Sequence, residues 1–476
     1  MAGTEISNVL AMRYASEEVR AVWGEIAKII MERQLWLAVL REQKDLGVEV
    51  PDGVIEAYEA VIDQVDLESI ADRERRTRHD VKARIEEFCA LAGHEHIHKG
   101  MTSRDLTDNV EQMQVLRSLE LIRIRVVAAL ARLGELAINH AGTVITGRSH
   151  FVPAQPTTVG KRIATVGEEL LHYLDRLEYM IGHYQLRGIK GPVGTQQDQQ
   201  DLLGGPEDVV ALEQSIAEHL GFGSSMNSVG QVYPRSYDSE VVSLLLHLAA
   251  PAGNFAQMVR LMSGLNLGSE GFKPGQTGSS AMPHKENSRS CERIHALQKT
   301  LRGYAVMANE LAGETWFEGD VSCSVIRRVV LPDSFFAIDG LYQTWLTVLD
   351  EFGVFPAVIS SELREQMPYL GTTKMLMAAV RAGIGRETAH EVIKEHAMAL
   401  KMAQREVGGL PNDLPERVAA DLRMQGVELS DLRAALANPI DLTGAAVAQV
   451  GNFVRTLEPV MAAYYEEARY RPGEIL

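Results

Sequence analysis

Residues Asp105 to His140, DLTDNVEQMQVLRSLELIRIRVVAALARLGELAINH, decide the fold. The run holds no proline, and its one glycine, Gly134, stands near the end. Apolar residues recur at the 3.6 spacing of a helix, and nothing that breaks a helix interrupts them. At 1.5 Å per residue the run predicts a rod about 50 Å long. Thr102-Ser103-Arg104-Asp105, at its start, is a capping signal.

Outward from this rod the same pattern returns. Thr157 to Arg187 reads as a second long helix, and Ser236 to Ser263 as a third with a kink at Pro251 and Gly253. A fourth is expected to begin near Arg289 and a fifth near Pro332. The first hundred residues read as short helices and loops, with Ser16 as an N-cap before Glu17 and Glu18 and a turn at Pro51-Asp52-Gly53. From about Phe355 the helices are shorter, broken at Gly408-Gly409, Pro411, Pro415 and Pro439. Strand-like alternation is scarce. The expected class is all-α: an elongated central bundle of about five long helices flanked by two smaller helical domains. The expected division is 1-104 for the N-terminal mainly helical domain, 105-354 for the bundle and 355-476 for the C-terminal helical domain.

Of 476 residues, 46% are hydrophobic and 23% charged, so the core can be large. A net charge of −17 argues against nucleic acid or an anionic membrane as partner. It leaves a small anionic substrate open, because local cations and helix N-termini set the field in a cleft. Cys89, Cys291 and Cys323 are too few and scattered for a disulfide framework or a zinc site, which fits a cytoplasmic location. Met1 to Leu10 carries no secretory pattern, and no stretch approaches 18 uninterrupted apolar residues.

Polar stations fall between the helices. The most conspicuous is Gly275-Gln276-Thr277-Gly278-Ser279-Ser280-Ala281-Met282-Pro283-His284-Lys285-Glu286-Asn287, too rich in Gly, Ser and Pro for a helix or a buried strand. Others are Arg78-His79-Asp80, Thr102-Ser103 and Ser149-His150. His94-Glu95-His96-Ile97-His98 has the letters of HExxH but alternates as a strand or loop would, where a metal site of that kind needs a helix, so no metal is expected. Phosphate-loop, dinucleotide and nucleophile-elbow spacings are absent from the sequence.

The loop closely resembles the signature of the fumarase/aspartase superfamily, roughly Gly-Ser-Ser-x-Met-Pro-x-Lys-x-Asn, through Gly278, Ser279, Ser280, Met282, Pro283, Lys285 and Asn287. Further motifs in matching order resemble the branch that acts on succinylated purine nucleotides. Arg13-Tyr14, Arg78-His79-Asp80, Arg293, Ser324 and Arg328 look like its nucleotide contacts. His98-Lys99-Gly100-Met101-Thr102-Ser103 is similar to the motif that holds the succinyl group, and Ser149-His150 to the stretch bearing the general acid. Gln231 and Arg235 lie in a segment similar to the substrate-binding Gln segment. The resemblance implies cleavage of adenylosuccinate and SAICAR with release of fumarate, without metal or other cofactor, in a homotetramer whose sites each draw on several chains. His150 would be the acid and Ser279 or Ser280 the base, with Lys285 and Asn287 on the same loop; His79 is a catalytic candidate that suits phosphate binding better. Two departures stand out. Gly319 follows Trp316-Phe317-Glu318 where many relatives carry an arginine, and Ser288 follows Asn287 where proline is usual, with Glu286 in place of a basic residue.

The chemistry makes the same demands. Breaking a C–N bond beta to a carboxylate needs a base for a weakly acidic C–H, partners for the charge that builds on the carboxylate, and an acid for the leaving nitrogen. Histidine suits the last role near neutral pH. A serine can be the base only if amide dipoles and Lys285 stabilise its alkoxide. Two other readings are a relative that cleaves argininosuccinate and a catalytically silent helical scaffold; the Arg13-Tyr14 and Arg78-His79-Asp80 stations favour a phosphate-bearing substrate over the first, and Ser279, Lys285 and His150 count against the second.

Overall fold

The computed structural model describes residues 6–271, 282 and 284–474. The deciding run folds as one 37-residue helix, Ser103–Asn139, about 55 Å long. Its start is a capping box: the Thr102 N–H donates to Asp105 Oδ2 at 2.7 Å while the Thr102 side chain meets the Asp105 backbone. Around it lie Val159–His183, Ser236–Leu248, Ala250–Gly264, Arg289–Asn309 and Cys323–Glu351, so the all-α bundle is borne out. Among the described residues, β structure amounts to two two-stranded ribbons and one isolated bridge.

Cys323–Glu351 is the innermost rod. Every residue from Ser334 to Leu346 is buried, as expected only for a helix surrounded on all sides. It runs parallel to Ser103–Asn139, shown by contacts that climb both helices together: Arg104 to Ser324, Arg125 to Asp339 and Arg132 to Asp350.

Three expectations about helix boundaries need correction. The fifth helix begins at Cys323, and Pro332 lies inside it. Interior proline costs about 3 kcal/mol, which the burial along the following turns offsets. The kink expected at Pro251 and Gly253 is instead a break at Ala249, because proline fits the first turn of the next helix, where its missing N–H is not needed. The N-terminal region also contains a 21-residue helix, Glu25–Asp45, and the C-terminal region the 22-residue Arg386–Val407, both longer than the loop signals suggested. Ser236–Gly264 is long and apolar enough by composition to cross a bilayer; here it packs within the bundle against Val159–His183 and Arg289–Asn309.

The hairpin Val144–Ser149 with Val152–Thr158 joins the far end of the central helix to the next one. Sequence pattern did not mark it as a sheet, since Pro153 and Pro156 weaken a strand reading. Residues Met375 to Leu432 contribute a separate core, whereas Val450, Phe453 and Leu457 of the Ala446–Ala463 helix return to the main one.

Close approach of the two helices that the hairpin joins depends on Gly160. A Cβ there would lie 2.3 Å from the Ala137 carbonyl oxygen and 2.8 Å from the Ala141 backbone. Alanine normally gains about 1 kcal/mol over glycine in a helix. At this backbone contact overpacking wins, and Gly160→Ala should lower stability by about 1–3 kcal/mol in denaturant unfolding. An unchanged or raised midpoint would refute the close-packing account.

Candidate active site

The N-terminal ends of three helices meet at one end of the bundle. Arg78 closes Leu67–Thr77 with left-handed backbone, φ 53°, and turns the chain into Asp80–Ala92. His79 caps that second helix: its Nδ1 accepts the Lys82 N–H at 3.2 Å, which leaves Nε2 to carry the ring N–H. Nε2 reaches Ser103 Oγ at 3.3 Å. Asp80 takes Arg84 at 3.0 Å and faces Arg328 at 3.7 Å. Burial raises the Asp80 pKa, but Arg84, the Val81 N–H and Arg328 together hold it below the usual range. One helical turn before Arg328, Ser324 Oγ accepts from Arg104 Nη2 at 2.8 Å. Since Arg104 follows Ser103, these residues form a closed circuit around a polar mouth.

A charge network lies beneath. Asp108, fully buried, accepts from Arg235 at 3.0 Å, Arg104 at 3.2 Å and Arg327 at 3.3 Å. Burial alone would raise its pKa, yet Arg235, Arg327 and Arg104 outweigh that and depress it. Arg327 also holds Asp238 at 2.7 Å and donates to Glu111 and the Tyr233 hydroxyl. One turn earlier, Asp105 pairs with Arg187 and accepts the Lys190 and Gly191 N–H groups at 2.8 and 3.0 Å. Arg235, expected as a substrate contact, is placed inside, 5% exposed and 4.4 Å from the Tyr233 ring centre. It neutralises Asp108 instead of facing the mouth.

The remaining stations sit elsewhere. Arg13 and Tyr14 line a cleft of about 670 Å³ with Arg293, whose guanidinium stands 5.6 Å from the Tyr14 ring centre. Thr344 shares this cleft. It lies about 30 Å along its helix from Ser324. Ser149 and His150 are at the hairpin end, where His150 and Phe151 both adopt left-handed backbone, φ 51° and 63°. About 55 Å of helix separates Ser103 from the base of the hairpin, and its seven-residue strand spans at most about 23 Å. His150 therefore cannot reach Ser103 within one chain.

Gln231 is half-buried on a segment tied to the strap around Gly319, with the Val232 N–H donating to the Glu318 carbonyl at 3.2 Å. Lys285 is exposed and its N–H donates to the Met282 carbonyl; Asn287 is half-buried. Nearby, the Glu270 carboxylate accepts the Ser290 and Cys291 N–H groups at 3.0 and 2.9 Å, capping Arg289–Asn309. Ser279 and Ser280 lie outside the described residues.

Sequence reasoning passed over Arg104 as a site residue, and it met His98 and Arg327 only inside longer motifs, with no role of their own. The signal for the network was present: Asp105, Asp108, Asn109 and Gln112 put buried polar side chains at i, i+3, i+4 and i+7 of one helix. His98 also adopts left-handed backbone, φ 66°, and its Nδ1 accepts the Trp36 indole N–H at 2.9 Å. Burial pushes its pKa down from 6.5 to about 4, against the pull of Asp105 and with help from His79.

Between those values the unfolded chain binds a proton that the folded chain refuses. The His98 contribution is therefore complete above pH 6.5 and lost as pH falls toward 4, by up to about 3 kcal/mol. His98→Asn keeps an acceptor and tolerates the left-handed backbone. Unfolding midpoints at pH 7 and 4.5 should converge less for wild type than for this variant when plotted against each other, with the wild type showing the steeper acid loss. Equal acid losses in both proteins would remove His98 as the cause.

The comparisons agree across the chain. A family model described as Lyase matches residues 18–303, and one described as Adenylosuccinate lyase C-terminus matches 368–453. The adenylosuccinate lyase of Schistosoma mansoni is 32% identical over 97% of this chain and 96% of its own. That of Saccharomyces cerevisiae is 34% identical over 94% and 93%. Similar solved folds include a fumarate lyase from Mesorhizobium sp. BNC1, with TM-score 0.78, 21% identity and coverage of 93% and 98%. Another is the 3-carboxy-cis,cis-muconate lactonizing enzyme from Pseudomonas putida, with TM-score 0.80, 17% identity and coverage of 97% and 100%. With this agreement over nearly its full length, the chain belongs to the adenylosuccinate lyase family.

Proposed function

We propose that this lyase releases fumarate from adenylosuccinate to leave AMP, and from SAICAR to leave AICAR. The observation that carries the reading beyond family membership is the closed circuit of Ser103, His79, Asp80, Arg328, Ser324 and Arg104. It offers hydroxyls, an imidazole N–H and guanidinium groups to a substrate bearing both carboxylates and a phosphate. Thr102 and Ser103 hold the succinyl end, while Arg78, His79, Asp80, Ser324 and Arg328 hold the nucleotide together with Arg13, Tyr14 and Arg293 of another chain, since the cleft of those three lies far from this mouth within one chain.

His150 protonates the leaving nitrogen. Its two-residue left-handed turn supports the assignment, since such backbone costs of order 1–3 kcal/mol per residue and collects at functional sites. Ser279 or Ser280 takes the C–H proton, aided by Lys285. Because His150 and Ser103 are too far apart in one chain, the site is assembled from several chains of a homotetramer. Exposed apolar side chains such as Val306, Phe317 and Val325 suit burial in such an assembly.

Fumarate release followed by absorbance, on adenylosuccinate, SAICAR and argininosuccinate in parallel, tests the reaction. Turnover of the first two is expected, and turnover of argininosuccinate alone would overturn it. His150→Ala and Ser279→Ala chains, each inactive, should regain part of the activity when unfolded and refolded together. Mixed oligomers identified by mass that stay inactive would refute sharing between these two residues.

A further inference from the structure

We propose that Arg104 is a phosphate-binding residue, supplying from the central helix the cation that Gly319 cannot. The inference rests on the nucleotide-lyase reading above and adds a contact to it.

The strap around Gly319 has no room for a side chain. Gly319 has φ 145°, and a Cβ there would lie 2.9 Å from Val232 Cγ2. The Val232 N–H bond to Glu318 fixes this approach, and a Cβ on Gly230 would meet the Glu318 carbonyl oxygen at 2.4 Å. An arginine at 319 would need a different backbone.

Arg104 stands ready on the other wall. Its side chain is 11% exposed and bridges two groups: Nη1 donates to Asp108 at 3.2 Å, Nη2 to Ser324 Oγ at 2.8 Å. Asp108 does not consume its charge. Four cations, Lys28, Arg104, Arg235 and Arg327, share three carboxylates, Asp108, Glu111 and Asp238, among the described residues. Of these four, Arg104 is the one bonded to a hydroxyl at the mouth. Because Ser324 Oγ accepts from Arg104, its own O–H is left to donate. Arg328, 66% exposed, adds a second guanidinium one turn along. A hydroxyl at the first turn of a 29-residue helix, with the guanidinium of Arg328 one turn along and that of Arg104 from the central helix, matches the three outer oxygens of a phosphate monoester.

The test compares ligands with and without phosphate. In Arg104→Met, KM for adenylosuccinate should rise about tenfold to hundredfold, as expected for a lost charge-assisted hydrogen bond. The preference for adenylosuccinate over its dephosphorylated nucleoside should fall by the same factor, and Arg104→Lys should restore part of it. Direct titration with AMP and with adenosine gives the same comparison without turnover, so it still decides the role of Arg104 if wild type releases no fumarate. An unchanged phosphate preference in either measurement overturns the proposal. Equal weakening toward AMP and adenosine also overturns it, since a residue that only supports Ser324 would act that way. Asp108 keeps Arg235 and Arg327 in the variant, and its thermal midpoint relative to Arg104→Lys checks that the mouth remains folded.

Discussion

The buried carboxylate of Asp108 is the constraint on which the mouth depends. Removing a charge from water costs several kcal/mol, and only close, well-oriented partners repay that. Here the partners come from three separate segments: Arg104 from the same helix, Arg235 from the start of Ser236–Leu248 and Arg327 from the first turns of Cys323–Glu351. Each must stay in register or leave a charge unpaired. The network thus specifies which helix ends meet and at what level, something apolar packing along a 55 Å rod does poorly. Ser103, Ser324 and Arg328 are carried to one mouth as a consequence.

Asp105 does comparable work one turn earlier on the same face of the helix. Its carboxylate joins the Thr102 cap, the Arg187 guanidinium and the amides of Lys190 and Gly191. A single side chain therefore sets where the central helix begins and where the chain after Val159–His183 returns. By contrast, the hairpin with His150 is held from outside, through Arg148 to Glu362 and Arg162 to the Thr146 carbonyl. The two ends of the rod are thus built by different means and carry different chemistry.

Much of this was legible in the chain. The 3.6 periodicity and the absence of proline from 105 to 140 gave the long helix, and Thr102 with Asp105 marked its start. Pro332 misled because a local rule met a helix buried on every side, where packing overrides propensity. The meeting of His79 with Ser103 was hidden, since nothing local says that residues 24 positions apart share a hydrogen bond. Arg235 read as a site residue because its motif lies next to Gln231, but the ion pair that draws it inward involves residues 127 positions away. Arg104 went unremarked for the reverse reason: a lone arginine in a capping sequence looks like solvated surface until its partner across 220 residues is known.

By holding the amides of Ser290 and Cys291, Glu270 joins two points only 20 and 21 residues apart and fixes them to the bundle. For an unfolded chain the entropy lost in closing a contact grows with the logarithm of the separation, about 0.6 kcal/mol for each doubling. The clasp therefore closes at a smaller entropic cost than the contact of Arg104 with Ser324 across 220 residues. Loss of the Glu270 carboxylate would leave the amides at the first turn of Arg289–Asn309 without their side-chain acceptor.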